Sequence, residues 1–204
     1  QRTEMLAGVS HDLRTPLTRM KLQISLMKDE KAKSELEVDV NEMTSMLDSY
    51  VSFVKTESPE PIETIIINEL IGEIIKTVEK NGIELTIKEK NTIQTSGRQI
   101  QLKRAFNNII DNSQRYAKKI EIILYTNEKD CVIEFNDDGE GIPRDKYEDV
   151  FKPFFTLDPS RNKLKGESGL GLTITRDIIR SHGGDVKLSE SNLGGLQLKV
   201  LLPL

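Results

Sequence analysis

Cys131-Val-Ile-Glu-Phe-Asn-Asp-Asp-Gly-Glu-Gly-Ile-Pro143 reads as a strand that runs directly into a tight glycine turn. Gly139 and Gly141, one residue apart, let the backbone turn sharply and come close to a ligand. Asp137, at the strand's end, can accept a hydrogen bond from an exocyclic amine. Taken alone, the stretch is also what an ordinary hairpin turn looks like, because Asp-Gly pairs are common there. Two further stretches change its weight. Gly166-Glu-Ser-Gly-Leu-Gly-Leu172 leads into a helix, whose free backbone donors and positive dipole end favour an anion; alone it reads equally as a flexible glycine-rich loop. Asn107-Asn-Ile-Ile-Asp-Asn112 puts Asn108 and Asn112 on one helix face. Asparagine is costly in a helix interior, so the pair suggests either oxygen ligands for a hard, phosphate-bridging cation such as Mg²⁺ or a solvated polar face. All three stretches, in this order, predict a nucleotide site.

Outward from that strand, Ile120-Glu-Ile-Ile-Leu-Tyr-Thr126 forms its hairpin partner across the polar turn Asn127-Glu-Lys-Asp130. Residues 98–116 form a long helix carrying Leu102, Ala105, Phe106, Ile109 and Ile110. Residues 62–67 and 83–88 read as strands around a helix at 69–80. A helix over 169–182 precedes strands at 185–190 and 196–202, which flank the turn containing Gly194-Gly195. This order of helices and mostly hairpin-linked strands predicts an α+β fold, a two-layer α/β sandwich rather than a doubly wound parallel sheet. Residues 152–165 are polar and basic, and Phe154-Phe155 within them are too apolar to sit free in water. The segment reads as a lid with the aromatics as its hinge or latch.

The N-terminal part differs in kind. Leu6, Val9, Leu13, Leu17, Met20, Ile24 and Met27 recur at steps of three and four. The pattern resumes after the charged break Lys28-Asp-Glu-Lys-Ala-Lys33 at Leu36, Val40, Met43, Leu47, Val51 and Val54. Such a narrow seam is of coiled-coil type. A two-helix hairpin cannot bury both flanks of it alone, which predicts a homodimer closing a four-helix bundle. Pro16 predicts a bend near Asp12, where its ring meets the carbonyl four residues back. Glu57-Ser-Pro-Glu-Pro61 is the linker between the two parts.

The totals narrow the classes. Charged residues make up 30% of the 204, aromatics 5%, and the net charge is -4. This fits a folded, helix-rich protein and gives no basic footprint for nucleic acid. The single cysteine, Cys131, excludes an internal disulfide and sits in an alternating run as a small core residue. No apolar run approaches the ~20 residues that span a bilayer. Beginning at Gln1 rather than Met, the sequence reads as part of a longer chain, any membrane segment lying outside it.

Ser10-His-Asp-Leu-Arg-Thr-Pro-Leu-Thr-Arg19 carries a second kind of chemistry. His11 lies off the apolar seam, on a water-facing flank, with Asp12 beside it. Neutral imidazole is a competent nucleophile near pH 7, and an adjacent carboxylate can take the proton of one ring nitrogen. An isolated surface histidine would ask for no explanation; with a nucleotide site downstream, the pairing points to phosphoryl transfer.

These stretches resemble the ordered boxes of sensor histidine kinases. His11-Asp-Leu-Arg-Thr-Pro16 is similar to their H box, residues 108–112 to the N box and residues 137–141 to the G1 box. Phe151-Lys-Pro-Phe-Phe155 is similar to the F box, Gly169-Leu-Gly-Leu172 to G2 and Gly194-Gly195 to the closing glycine pair. The H box and Arg115-Tyr116 look nearest to the EnvZ-type osmosensor kinases. The resemblance implies a dimerisation and histidine phosphotransfer domain over 1–57, a linker over 58–61 and a Bergerat-fold (GHKL) ATP-binding domain over 62–204. It implies His11 as phosphoacceptor, Asp12 as the base on its ring, and Thr15 as the residue positioning water for a phosphatase activity. Asn112, with Asn108, would serve Mg²⁺ and the phosphates of ATP, and Arg115 and Tyr116 would lie near the phosphates and base. Asp137 would meet the adenine amine, with Gly139 and Gly141 shaping that pocket, and Ile142, Phe155, Gly169, Leu170, Gly171 and Leu172 would also bind the nucleotide. The implied partners are a second copy and a response-regulator receiver domain of OmpR-like type, and the implied setting is the cytoplasmic portion of a bacterial inner-membrane sensor. Two positions depart from the pattern: Glu167 stands where a glycine is usual, and Thr156 where an arginine is common, a charge Arg161 could supply.

Two other readings share these motifs: a related ATPase or protein kinase on the same nucleotide fold, and a non-catalytic dimer scaffold that binds nucleotide. Such ATPases generally need an acid on the asparagine helix to activate water. Asp111 is the only acid there, and as the neighbour of Asn112 it points away from the asparagine face.

Overall fold

The computed structural model describes residues 2–54, 60–78, 83–157 and 169–204; within these, the side chains of residues 2–12, 42, 45, 46, 48–54, 77 and 78 are outside the description. The chain divides into two compact units, Gln1–Pro59 with Lys152–Leu170, and Glu60–Phe151 with Gly171–Leu204.

In the first unit, helix α1 (Arg2–Ser25) and helix α2 (Glu30–Val54) form a hairpin. Asp29 starts α2 as an N-cap: its Oδ1 accepts from the amides of Lys31 at 3.1 Å and Ala32 at 3.2 Å. The charged stretch expected to break the helices therefore breaks them only up to Asp29, because that cap turns Glu30 to Lys33 into a first helical turn. Helix α1 runs through Pro16 as one element. The seam separates into two sets. Leu17, Ile24 and Val40 are buried within the hairpin, with Met27 and Leu47 packed against them. Leu13, Met20, Leu36 and Met43 stay 47%, 38%, 41% and 51% exposed.

The second unit is a two-layer sandwich. Strands β1 (Glu63–Ile66) and β3 (Gln94–Gly97) make a small antiparallel pair. Strands β2 (Glu84–Glu89), β4 (Lys119–Thr126), β5 (Asp130–Asp137), β6 (Asp185–Glu190) and β7 (Leu196–Pro203) form a sheet of order β2-β4-β5-β7-β6. Its pairs are antiparallel except β2 with β4, which helix α4 (Gln99–Tyr116) connects as a crossover. Helix α3 (Ile67–Val78) and helix α5 (Gly171–Ser181) complete the helical layer. The apolar stripe of α4 is the core: Leu102, Phe106, Ile109 and Ile110 are at most 1% exposed, and the Phe106 ring lies 6.0 Å from that of Phe135 on β5. Each such side chain contributes about 1.5–3 kcal/mol by leaving water.

Strand β3 was not expected from the sequence: Gln94-Thr-Ser-Gly97 is too short and polar to show a period. It is held tertiarily, Thr95 Oγ1 donating to Pro203 O at 2.7 Å. The start of α4 is made the same way. Its N-cap, Arg98, has no capping side chain. Instead Glu60 accepts from the amides of Ile100 at 2.5 Å and Gln101 at 3.3 Å, and His182 Nε2 accepts from the Arg98 amide at 3.0 Å. Helix α5 ends where Gly183 takes a φ of 76° and Gly184 N–H donates to Ile179 O at 3.0 Å.

Candidate functional site

Asp137 is the last residue of β5 and is 5% exposed. Its Oδ1 accepts from the amides of Gly139 at 3.0 Å and Leu196 at 2.9 Å, and its Oδ2 accepts from Ser113 Oγ on α4 at 3.2 Å. Oδ1 is thereby filled, and Oδ2 is the oxygen left with acceptor capacity. The main-chain oxygen of Asp137 accepts a further bond, from Gly195 N–H at 3.1 Å. A carboxylate locked in one rotamer by strand, helix and turn is suited to read a single donor, such as an exocyclic amine.

The glycines around it are there because backbones meet. A Cβ on Gly195 would come within 2.3 Å of Asp137 Oδ1 and 2.4 Å of the Gly139 nitrogen. Gly141, at φ 71°, lies against the Gly195 backbone. Gly139 abuts the Tyr116 carbonyl, which a Cβ would approach to 3.0 Å. The turn at 137–141, the pair Gly194-Gly195 and the last turn of α4 therefore converge on Asp137, with Ile142 half-buried just beyond. Asp138 faces the other way and ties the turn to β4, accepting from the amides of Lys118 and Lys119, each at 2.8 Å. Those bonds, that from Lys119 foremost, hold its carboxyl below the usual carboxylate range.

Along α4, Asn108 and Asn112 are half-buried, while Arg115 and Tyr116 are exposed in the last turn. Asn108 uses its NH₂ end to bond Gly171 O, at 3.3 Å, so its amide oxygen is the end left over. That fits a hard cation, which takes oxygen ligands and keeps phosphate and water as the others. Among the described residues no group of three or more His, Cys, Asp or Glu could hold a metal. Asp111 is exposed on α4; desolvation by the neighbouring chain raises its pKa, offset in part by the Arg115 charge one turn on. Gly171 and Leu172 open α5 beside this helix, where Gly171 O also accepts from Thr175 Oγ1 at 2.9 Å.

The remaining expected residues lie in the first unit. Phe155 is half-buried, its N–H donating to Lys152 O at 3.2 Å, and Leu170 is 2% exposed. Gly169, at φ 61°, has no room for a side chain: a Cβ would lie 2.9 Å from the Phe154 backbone, whose N–H donates to Gly169 O at 3.0 Å. Phe154 corrects an expectation. It is 54% exposed with a φ of 61°, and its backbone N–H is bonded to Gly169 O. Thr15 is exposed on α1. The side chains of His11 and Asp12, and all of Arg161, Gly166 and Glu167, lie outside the described residues.

Residues 97–204 match the family described as histidine kinase-, DNA gyrase B- and HSP90-like ATPases, and residues 1–58 match the His kinase A phosphoacceptor domain. The chain belongs to the sensor histidine kinase family. Its curated relatives include the sensor histidine kinase GtrS of Pseudomonas aeruginosa, 31% identical over 100% of this chain and 42% of that protein. The sensor histidine kinase CpxA of Escherichia coli is 32% identical over 98% of this chain and 46% of that protein. This chain thus spans a little under half the length of those relatives. Among solved structures, a mycobacterial sensor histidine kinase, MprB, superposes with a TM-score of 0.62 at 25% identity, over 70% of this chain and 97% of that one. Full-length ShkA shares the fold, with a TM-score of 0.72 at 16% identity over 98% of this chain and 46% of that one.

Within this histidine kinase chain, Ser113 and the Leu196 amide were not anticipated as parts of the site. Ser113 was findable: it stands three and four residues after Ile110 and Ile109 on the apolar face of α4, where a small polar group asks for a partner. The Leu196 amide carries no sequence signal.

Proposed function

We propose that this chain is the core of a bifunctional two-component sensor kinase, using ATP to phosphorylate His11, passing the phosphoryl group to an aspartate of an OmpR-like receiver domain, and also dephosphorylating that regulator. The observation that carries the reading is the Asp137 carboxylate, with one oxygen filled and the other available, on the same unit as the half-buried pair Asn108 and Asn112. The proposed parts are a homodimerising phosphotransfer domain at 1–57, a linker at 58–61 and an ATP-binding domain at 62–204, with 152–165 as the lid. The EnvZ-type assignment rests on the H box and Arg115-Tyr116 alone. The proposed setting is the cytoplasmic side of a bacterial membrane sensor; among the described residues no helix is long and apolar enough to cross a membrane.

In the proposed reaction, Asp12 accepts the proton of one ring nitrogen of His11, so that the other presents its lone pair. That lone pair forms the N–P bond as the bond from the γ-phosphorus to the ADP oxygen breaks, and ADP leaves. Asp137 holds the base and Arg115 meets phosphate charge. Mg²⁺, when bound with the nucleotide, would be held by Asn112 with Asn108 and would neutralise phosphate charge. Because His11 and the nucleotide belong to parts joined by a linker, the two must approach once per turnover.

Incubation with γ-labelled ATP tests this. The wild type should acquire an acid-labile, alkali-stable label and His11→Ala none. Free phosphate released without protein label would support an ATPase, and nucleotide binding with neither would support a scaffold. Thr15→Ala should lose regulator dephosphorylation while keeping self-labelling; equal loss of both would remove Thr15 from that role.

A further inference from the structure

Helix α4 carries more than its asparagine pair. Arg104, Asn108 and Asn112 stand four residues apart and share one face of it. The base end of the site lies at the last turns of this helix, where Ser113 Oγ donates to Asp137 Oδ2 and Gly139 abuts the Tyr116 carbonyl. From there the row runs back toward the start of α4 through Asn112 and Asn108, and it reaches Arg104 about 13 Å from Ser113 along the axis. Arg104 is half-buried. Desolvation lowers the pKa of its guanidinium, which is still a cation at neutral pH.

Arg104, Asn107 and Asn108 line one end of a groove of about 630 Å³, a volume typical of small-ligand sites. The other end, at the first turn of α4, is acidic. Glu63 pairs there with Gly97, and the Glu60 carboxylate is taken up by the amides of Ile100 and Gln101. Lys103, beside Arg104, holds its Nζ 2.9 Å from Glu73 Oε2 on α3. Arg104 is therefore the cation set one turn beyond Asn108, whose amide oxygen is its unspent end. A planar fork of donors matches the oxygens of a phosphate. A half-buried cation also attracts an anion more strongly than a fully solvated one does.

We infer that Arg104 holds the terminal phosphate of a bound nucleoside triphosphate at the Asn108 end of α4, so that the site distinguishes a triphosphate from a diphosphate. This rests on the nucleotide reading proposed above and needs neither His11 nor the kinase reading. Loss of the guanidinium should weaken binding of the third phosphate and leave binding of the first two and the base alone.

The test is calorimetric titration of the 204-residue chain with ADP and with a non-hydrolysable ATP analogue, each with magnesium, as wild type, Arg104→Gln, Arg104→Lys and Lys103→Gln. The wild type should bind the analogue more tightly than ADP. In Arg104→Gln the analogue's Kd should rise about tenfold, as for one charge-assisted contact in a half-buried setting, while the Kd for ADP changes less than about twofold. Arg104→Lys keeps the charge without the fork and should fall between, and it carries the test if Arg104→Gln does not fold. Lys103→Gln should keep the wild-type ratio of the two ligands. Equal weakening of both ligands by the Arg104 variants would mean a general support of α4 and overturn the inference. An unchanged ratio in those variants, an equal loss in Lys103→Gln, or a wild type that does not distinguish the two ligands would overturn it as well. A wild type that binds neither ligand would overturn it together with the nucleotide reading, whereas selective loss of the analogue with no label on His11 would sustain it and refute only the kinase reading.

Discussion

A single carboxylate shows how much a residue's role depends on what occupies its other valences. Asp137 could be a turn-former, like many aspartates before glycine. With two amides on Oδ1 it cannot rotate, and with only a hydroxyl on Oδ2 it keeps an acceptor for a ligand. Asp137→Asn separates these roles. Asparagine's oxygen can still take the amides of Gly139 and Leu196, but its NH₂ replaces the one acceptor that remains. The domain should keep its melting behaviour to within a few degrees, while nucleotide affinity falls by about 1.5–3 kcal/mol, on the order of ten- to a hundredfold. Titration with a fluorescent ATP analogue reads the outcome; unchanged affinity would remove Asp137 from the base site. That Asp137 ends a strand before glycines was legible in the sequence. That Ser113 and the Leu196 amide hold it was not, because those partners come from a helix 24 residues before and a strand 59 residues after.

At the scale of elements, the long periodic ones behave as their patterns demand and the short ones are made by their neighbours. Helix α4 has a stripe that can only be buried, so its span is legible to within a residue. Its capping is not, since Glu60 and His182 come from 40 and 84 residues away. The junction of β5 with β4 has a similar tie in Asp138, whose carboxyl is held below its usual range chiefly by the Lys119 amide. A depressed carboxyl contributes stability that is present above its unfolded pKa, about 3.9, and is lost as the pH falls through the folded value. Asp138→Asn should therefore lower the urea midpoint at neutral pH, and the gap from wild type should close as the pH drops below the unfolded pKa and through the lower folded one. Urea titrations at the two pH values check this; a gap independent of pH would mean that the charge of Asp138 plays no part.

For the whole molecule, the hairpin states its own incompleteness. Leu17, Ile24 and Val40 are buried inside it, whereas Leu13, Met20, Leu36 and Met43 remain in water at heptad spacing. Leaving four large side chains half exposed forgoes about 1 kcal/mol apiece, and a second copy presenting the same row would cover them. Sedimentation of the wild type at micromolar concentration should give a dimer, and Met20→Glu with Met43→Glu a monomer of similar helix content. A monomeric wild type would sink the proposal. Periodicity and motif spacing alone determined which residues are apolar in rhythm, which helices and strands they make, and which glycines, asparagines and acids mark a nucleotide site, because those signals are carried by neighbours within a turn or a strand. Only the tertiary structure decided how the seam divides into buried and open halves, which oxygen of Asp137 keeps acceptor capacity, and that Glu60 and His182 cap α4. Those depend on hydrogen bonds and packing between segments far apart in the chain, where no local pattern leaves a trace.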